Sequence, residues 1–181
     1  MQRSFLLTII ISVFSFSVYS QAPLALTKVV FIRHGEKPEL GDNLSCTGFN
    51  RSLQLPGVLH KKFGVFNHVF VPSMKAGNYT THCRMFQTIA PYLIKENISV
   101  SSKYDESDIE GISTAIRKEA GTVLIVWEHK NIHKIVKALG IKDDQKWDES
   151  DFDSIIILSY KNGVPTLSRD KEGITPGATC N

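Results

Sequence analysis

Short unbroken apolar runs recur along this chain, each with the length and β-branched content of a strand covered on both faces. Val29 to Ile32, Val69 to Val71, Val123 to Trp127 and Ile155 to Leu158 are of this kind, and Ile98 to Ser102 is a weaker example. Between them the hydrophobic period becomes helical. Phe86, Ile89, Ala90, Leu93 and Ile94 fall at i, i+3, i+4, i+7 and i+8, Ile132, Ile135, Val136 and Leu139 begin the same series, and Ile109, Ile112 and Ile116 trace a narrower stripe. Strands alternating with helices predict right-handed crossovers and an α/β fold whose sheet is mostly parallel and covered on both faces. Asn162-Gly163 predicts a hairpin that adds Val164 to Ser168 as one antiparallel strand at the end, and Pro56 predicts a broken or restarted first helix within Leu53 to Phe63.

In open α/β sheets the ligand site lies beyond the carboxyl ends of the strands. Three such places carry reactive or cationic side chains: Arg33-His34-Gly35-Glu36-Lys37-Pro38 after the first strand, His82-Cys83-Arg84 at the start of a helix, and Glu128-His129-Lys130 after the run ending at Trp127. An imidazole beside Arg33 stays neutral near pH 7 and keeps a ring nitrogen free to attack phosphorus, so His34 is the candidate nucleophile. Arg33 and Arg84 offer planar donor forks suited to phosphate, and His129 offers a further donor. His129 and His133 stand at i, i+4, which is also the spacing of a two-histidine metal face, but the chain lacks a third ligand at zincin spacing.

Composition narrows the setting. The chain has 181 residues, 42% of them hydrophobic, which predicts one domain over residues 23–181. A formal charge of +3 is too small to point to nucleic acid. Arg3, the apolar stretch Phe5 to Val18 and the small residues Ser17, Ser20 and Ala22 read as a secretory signal over residues 1–22, cleaved after Ser20 or Ala22. As a helix that stretch rises only about 21 Å against a hydrocarbon core of about 30 Å, so no stable membrane insertion is expected after cleavage. The expected location is periplasmic or secreted. Cys46, Cys83 and Cys180 allow one disulfide and leave one thiol, with the pairing open.

The run Phe31-Ile32-Arg33-His34-Gly35-Glu36-Lys37-Pro38 resembles the Arg-His-Gly motif of the histidine phosphatase superfamily, whose members include phosphoglycerate-mutase-like enzymes. The order continues with Leu44-Ser45-Cys46-Thr47 and Asn50-Arg51 at a helix start, Arg84 with Gln87-Thr88, and His129 after a late strand. The resemblance implies a three-layer α/β/α sandwich, a phosphohistidine on His34, a phosphate pocket of Arg33, Arg84 and His129 with Lys37 beside it, and no metal or cofactor. It implies a phosphomonoesterase acting on a small phosphorylated substrate, with a cell-surface sugar phosphate as the candidate class. The alternative is a phosphate-binding protein without turnover. The proton donor is open: Asp105 is preferred, in an acidic run with Glu106 and Asp108, and Glu36 and Glu128 are its rivals. Glu128-His129-Lys130 departs from the Ser-His-Gly common near the second histidine of the family.

Overall fold

A computed structural model of the chain describes residues 25–75, 79 and 81–180. The signal expected over residues 1–22 lies outside the described residues. The apolar runs do form strands: β1 (Leu26–Arg33), β2 (His68–Phe70), β3 (Gly121–Trp127) and β4 (Ser154–Lys161), with β5 (Val164–Lys171) following. They make one five-stranded sheet in the order β2-β3-β1-β4-β5. Along β1, Val30 and Ile32 face one side and Val29 and Phe31 the other, as the period of two requires, and all four are fully buried. The first side packs on α1 (Cys46–Phe63) and α2 (Cys83–Glu96) through Leu55, Leu59, Met85, Ile89 and Tyr92. The second packs on α3 (Ile109–Lys118) and α4 (His129–Ala138) through Ile112, Ile116, Ile132, Ile135 and Val136. The result is the α/β/α sandwich, in which each buried aliphatic side chain contributes about 1.5–3 kcal/mol relative to exposure.

Four sequence expectations change in detail. The antiparallel strand is β4, which pairs antiparallel with both β1 and β5, while β1, β2 and β3 are mutually parallel. Its direction follows from the segment before it, which crosses the carboxyl end of β1, where the Arg33 side chain holds three of its backbone carbonyls, so the chain enters β4 from that end. The hairpin turn is as expected, with Asn162 at φ 52° and Gly163 at φ 77°. Ile98 to Ser102 makes only one bridge, Phe70 to Ser101. Pro56 lies inside an uninterrupted α1, because Gly48, Arg51, Ser52, Leu55, Pro56 and Leu59 form one buried stripe whose packing offsets the roughly 3 kcal/mol that an interior proline costs. The buried face of α2 is rotated by about one residue: Tyr92 is fully buried and Ile94 is 80% exposed.

A disulfide joins Cys46 at the start of α1 to Cys180 in the C-terminal tail, and Cys83 is free and buried. Asn50 reinforces the closure by donating from Nδ2 to the carbonyls of Gly177 and Thr179, each at 2.8 Å. The bridge spans 134 residues, so reduction is expected to destabilise the fold by about 2–5 kcal/mol. Urea unfolding with and without dithiothreitol measures this. An unchanged midpoint would show that the tail constrains nothing in the unfolded chain.

Candidate active site

β1 delivers Arg33 and His34 to the carboxyl edge of the sheet, where both are 3% exposed. The turn that follows is held against the start of α1. The Ser45 N–H donates to the Glu36 carbonyl at 2.9 Å, the Ser45 hydroxyl donates to the same oxygen at 3.1 Å and accepts from the Gly48 N–H at 3.2 Å. A Cβ on Gly48 would lie 2.3 Å from the Glu36 carbonyl oxygen, and one on Gly35 would lie 3.1 Å from the Gly48 backbone. The missing side chain at Gly35 therefore makes room for the start of α1. Gly48→Ala, which in an exposed helix would gain about 1 kcal/mol, must here push the turn away, and kcat/KM is expected to fall about 10²-fold. Wild-type kinetics in that variant would show slack in the turn.

The His34 ring is oriented by the Gly35 carbonyl, 2.7 Å from Nδ1. A neutral ring donates from Nδ1 to that oxygen and leaves Nε2 as a lone pair. Burial holds the His34 pKa down at about 4, with the positive charges of Arg33 and Arg84 adding to the effect, so the ring is neutral across the physiological range. Thr88 links the turn to α2: its hydroxyl accepts from the Gly35 N–H at 2.8 Å and donates to the Arg84 carbonyl at 2.7 Å. The His82 backbone, at φ 56°, caps α2 and sets the start of the helix that carries Arg84.

His129 opens α4 and is 8% exposed, with its ring centroid 6.5 Å from that of His34. Its pKa is also lowered to about 4, first by burial and then by Arg33, Lys130 and Lys37. Glu128 caps α4 by accepting from the Lys130 N–H, and its Oε1 lies 2.7 Å from His129 Nδ1. Arg33 is clamped from behind. Its Nη1 donates to the carbonyls of Asp148, Glu149 and Asp151 at 3.1, 2.9 and 3.0 Å, and its guanidinium lies 3.9 Å from the Phe152 ring centroid. Phe152 also meets the His34 ring edge-on at 6.0 Å.

Buried polar atoms without partners are rare in folded proteins, because each costs about 1–3 kcal/mol. Among the described residues they are Nε of Arg33, Nε of Arg84, both ring nitrogens of His129, Thr81 Oγ1 and Tyr160 Oη. The three residues expected to form the phosphate pocket thus hold buried nitrogens without a hydrogen-bond partner, and His34 Nε2, the candidate nucleophile, keeps its lone pair. His34, Glu128 and His129 also bring their ligand atoms within 4.8 Å of one another, a set that zinc uses elsewhere. The adjoining charges of Arg33 and Arg84 favour an anion over a cation at this place.

No protein-family model matches the sequence, and no curated protein matches it. Among solved structures, the protein histidine phosphatase SixA in complex with tungstate superposes with a TM-score of 0.61 at 16% identity, over 80% of this chain and 97% of that one. The mycobacterial glucosyl-3-phosphoglycerate phosphatase with inorganic phosphate gives 0.52 at 12% identity, over 80% and 95%. The fold is that of the histidine phosphatases. Its architecture agrees with what the Arg33-His34-Gly35 resemblance implied.

Within this histidine phosphatase fold the acidic residues divide clearly. Asp105 accepts from the Ser107 N–H and hydroxyl at 3.1 and 2.8 Å and pairs with Lys75 at 3.0 Å, which holds its carboxyl far below the usual range. A carboxylate held ionised by these partners has no proton to give at neutral pH, which counts against Asp105 as the donor in this conformation. Glu106 pairs with His82 at 2.9 Å, and Asp108 caps α3 by accepting from the Gly111 N–H. Glu36 is bound bidentately by Arg51, whose Nη1 also reaches Glu172 at 2.6 Å. Glu128 alone among the five combines placement beside His34 and His129 with a pKa raised by burial. Lys37 is exposed on the turn, and His133 lies further along α4, outside the His34 cluster.

Proposed function

We propose that this chain is an exported phosphatase that hydrolyses phosphate monoesters through a phosphohistidine on His34. The observation that carries the reading is the ring of unsatisfied buried nitrogens on Arg33, Arg84 and His129 around a neutral imidazole whose Nδ1 is already bound. The tungstate in SixA and the inorganic phosphate in the mycobacterial phosphatase support an oxyanion as the ligand of this fold. The Cys46–Cys180 disulfide supports an oxidising compartment, consistent with periplasmic or secreted location.

In the first step the His34 Nε2 lone pair forms the N–P bond as the P–O bond to the alcohol breaks. Protonated Glu128 gives its proton to the departing oxygen. In the second, water attacks phosphorus, its proton passes to the Glu128 carboxylate, and the P–N bond breaks to return neutral His34 and free phosphate. Free donors of Arg33 and Arg84 and an N–H of His129 stabilise the charge on the equatorial oxygens, with Lys37 adding positive potential at the rim. Arg33 suits this because its clamp fixes the guanidinium before substrate arrives. A cell-surface sugar phosphate is the substrate class that an exported enzyme of this kind would meet.

Rapid acid and base quenching after mixing with ³²P-labelled phosphoester tests the mechanism. Label retained on protein in alkali and lost in acid is the expected result. Turnover with no such label would replace the phosphohistidine with direct attack by water, and binding without turnover would leave a phosphate-binding protein.

A further inference from the structure

His129 has a second neighbourhood. On the side of α4 it borders a cavity of about 230 Å³ lined also by Lys130, His133, Lys146, Trp147 and Glu149. That is well above the roughly 10–15 Å³ of such space that one water needs. The His129 side chain, 10% exposed, thus borders both the His34 cluster and this space. Lys130 and Lys146 line it together with a single carboxylate, Glu149. Glu149 meets Lys130 only loosely, at 3.8 Å with both side chains largely exposed, so that lysine is available to another anion. Trp147, packed in part against the core, donates its indole N–H to the Asp151 carbonyl at 2.7 Å, which fixes the ring where it lines the cavity.

We propose that this cavity receives the alcohol part of the substrate and selects a sugar-sized alcohol that carries a second anionic group. The reacting phosphate sits on Arg33, Arg84 and His129, the ring of the alcohol lies against Trp147, and the second phosphate or carboxylate meets Lys130 and Lys146. This deepens the phosphatase reading above and rests on it. The segment from Lys146 to Glu149 thereby has two tasks, since the carbonyls of Asp148 and Glu149 also hold Arg33.

Glucose 1,6-bisphosphate and glucose 6-phosphate test the cavity, and p-nitrophenyl phosphate reports on the reaction centre independently. The wild-type protein is expected to prefer the bisphosphate by about tenfold in kcat/KM, a ratio that shrinks as salt rises and falls to near unity in the double variant Lys130→Met, Lys146→Met. Equal kcat/KM for the two sugars, or a ratio that survives in the double variant, overturns the proposal while p-nitrophenyl phosphate hydrolysis keeps the phosphatase reading. Failure to hydrolyse p-nitrophenyl phosphate overturns that reading instead. Calorimetric affinities of the wild-type and double-variant proteins for the two sugars then decide the cavity by the same ratio.

Discussion

His34→Ala is expected to lose turnover by about 10⁴-fold or more while still binding vanadate, because it deletes the attacking nitrogen and leaves Arg33, Arg84 and His129 in place. The same variant carries a thermodynamic signature. His34 titrates near 6.5 when unfolded and at about 4 in the folded protein, so between those values the unfolded chain takes up a proton that the folded chain refuses. The stability this confers is present above about pH 6.5 and is lost as pH falls through 4, amounting to roughly 3 kcal/mol. His129 has a depression in the same direction and adds to the loss. The wild-type protein should therefore destabilise steeply over this window and His34→Ala less steeply, as read from urea midpoints at pH 7, 5.5 and 4.5. Its kcat/KM should likewise fall on the acid side near pH 4, where the ring becomes protonated. Residual turnover near wild type would move the nucleophile elsewhere, and parallel stability curves would show that His34 is hydrated in the folded state.

The strands were legible because burial on both faces leaves an uninterrupted apolar run, and Val29 to Ile32 and Val123 to Trp127 become adjacent parallel strands in the structure. The direction of β4 was not legible, since Ile155 to Leu158 reads the same whichever end the chain enters from. What decides it is the path of residues 148–153 across Arg33, a contact more than a hundred positions apart. The rotated face of α2 has a similar cause. Ile94 looks apolar in sequence but stands in solvent, while Thr88 and Tyr92 go inward because each has a hydroxyl partner there: Thr88 binds Gly35 and Arg84, and Tyr92 donates to the Gly64 carbonyl and accepts from the Phe66 N–H.

The candidate site was legible in its cations and less so in its carboxylates. His34, Arg33, Arg84 and His129 were marked by following strand ends or opening helices, positions that topology brings together. Which acid holds a proton depends on solvation, and nothing in the acidic run from Asp105 to Asp108 distinguishes a solvated, lysine-paired carboxylate from a buried one. In the sequence Arg51 reads only as part of a helix start, whereas in the structure it locks Glu36 and Glu172 behind the turn that follows His34. Phe152 was missed altogether. It is the one apolar residue between Asp148 and Asp153, and that isolation within a charged stretch was the available signal.

The choice between Asp105 and Glu128 has a direct experimental consequence. A proton donor matters in proportion to the basicity of the leaving oxygen, so its loss should slow a sugar phosphate far more than a nitrophenyl phosphate, whose phenolate departs readily unprotonated. Glu128→Gln keeps the shape of the side chain, and its amide oxygen can still accept from the Lys130 N–H, so the start of α4 and the position of His129 are preserved. The variant is expected to lose about 10²–10⁴-fold on glucose 6-phosphate and far less on p-nitrophenyl phosphate. Because burial raises the Glu128 pKa, the wild-type rate on the sugar phosphate should also decline on the alkaline side as that carboxyl ionises, a limb that Glu128→Gln should lack. Asp105→Asn should change neither substrate selectively, since Asp105 is bound to Ser107 and Lys75. Equal losses on both substrates in Glu128→Gln would reduce Glu128 to a cap that positions His129, and a selective loss in Asp105→Asn would return the acid to the loop before α3, requiring that loop to leave Lys75 when substrate binds.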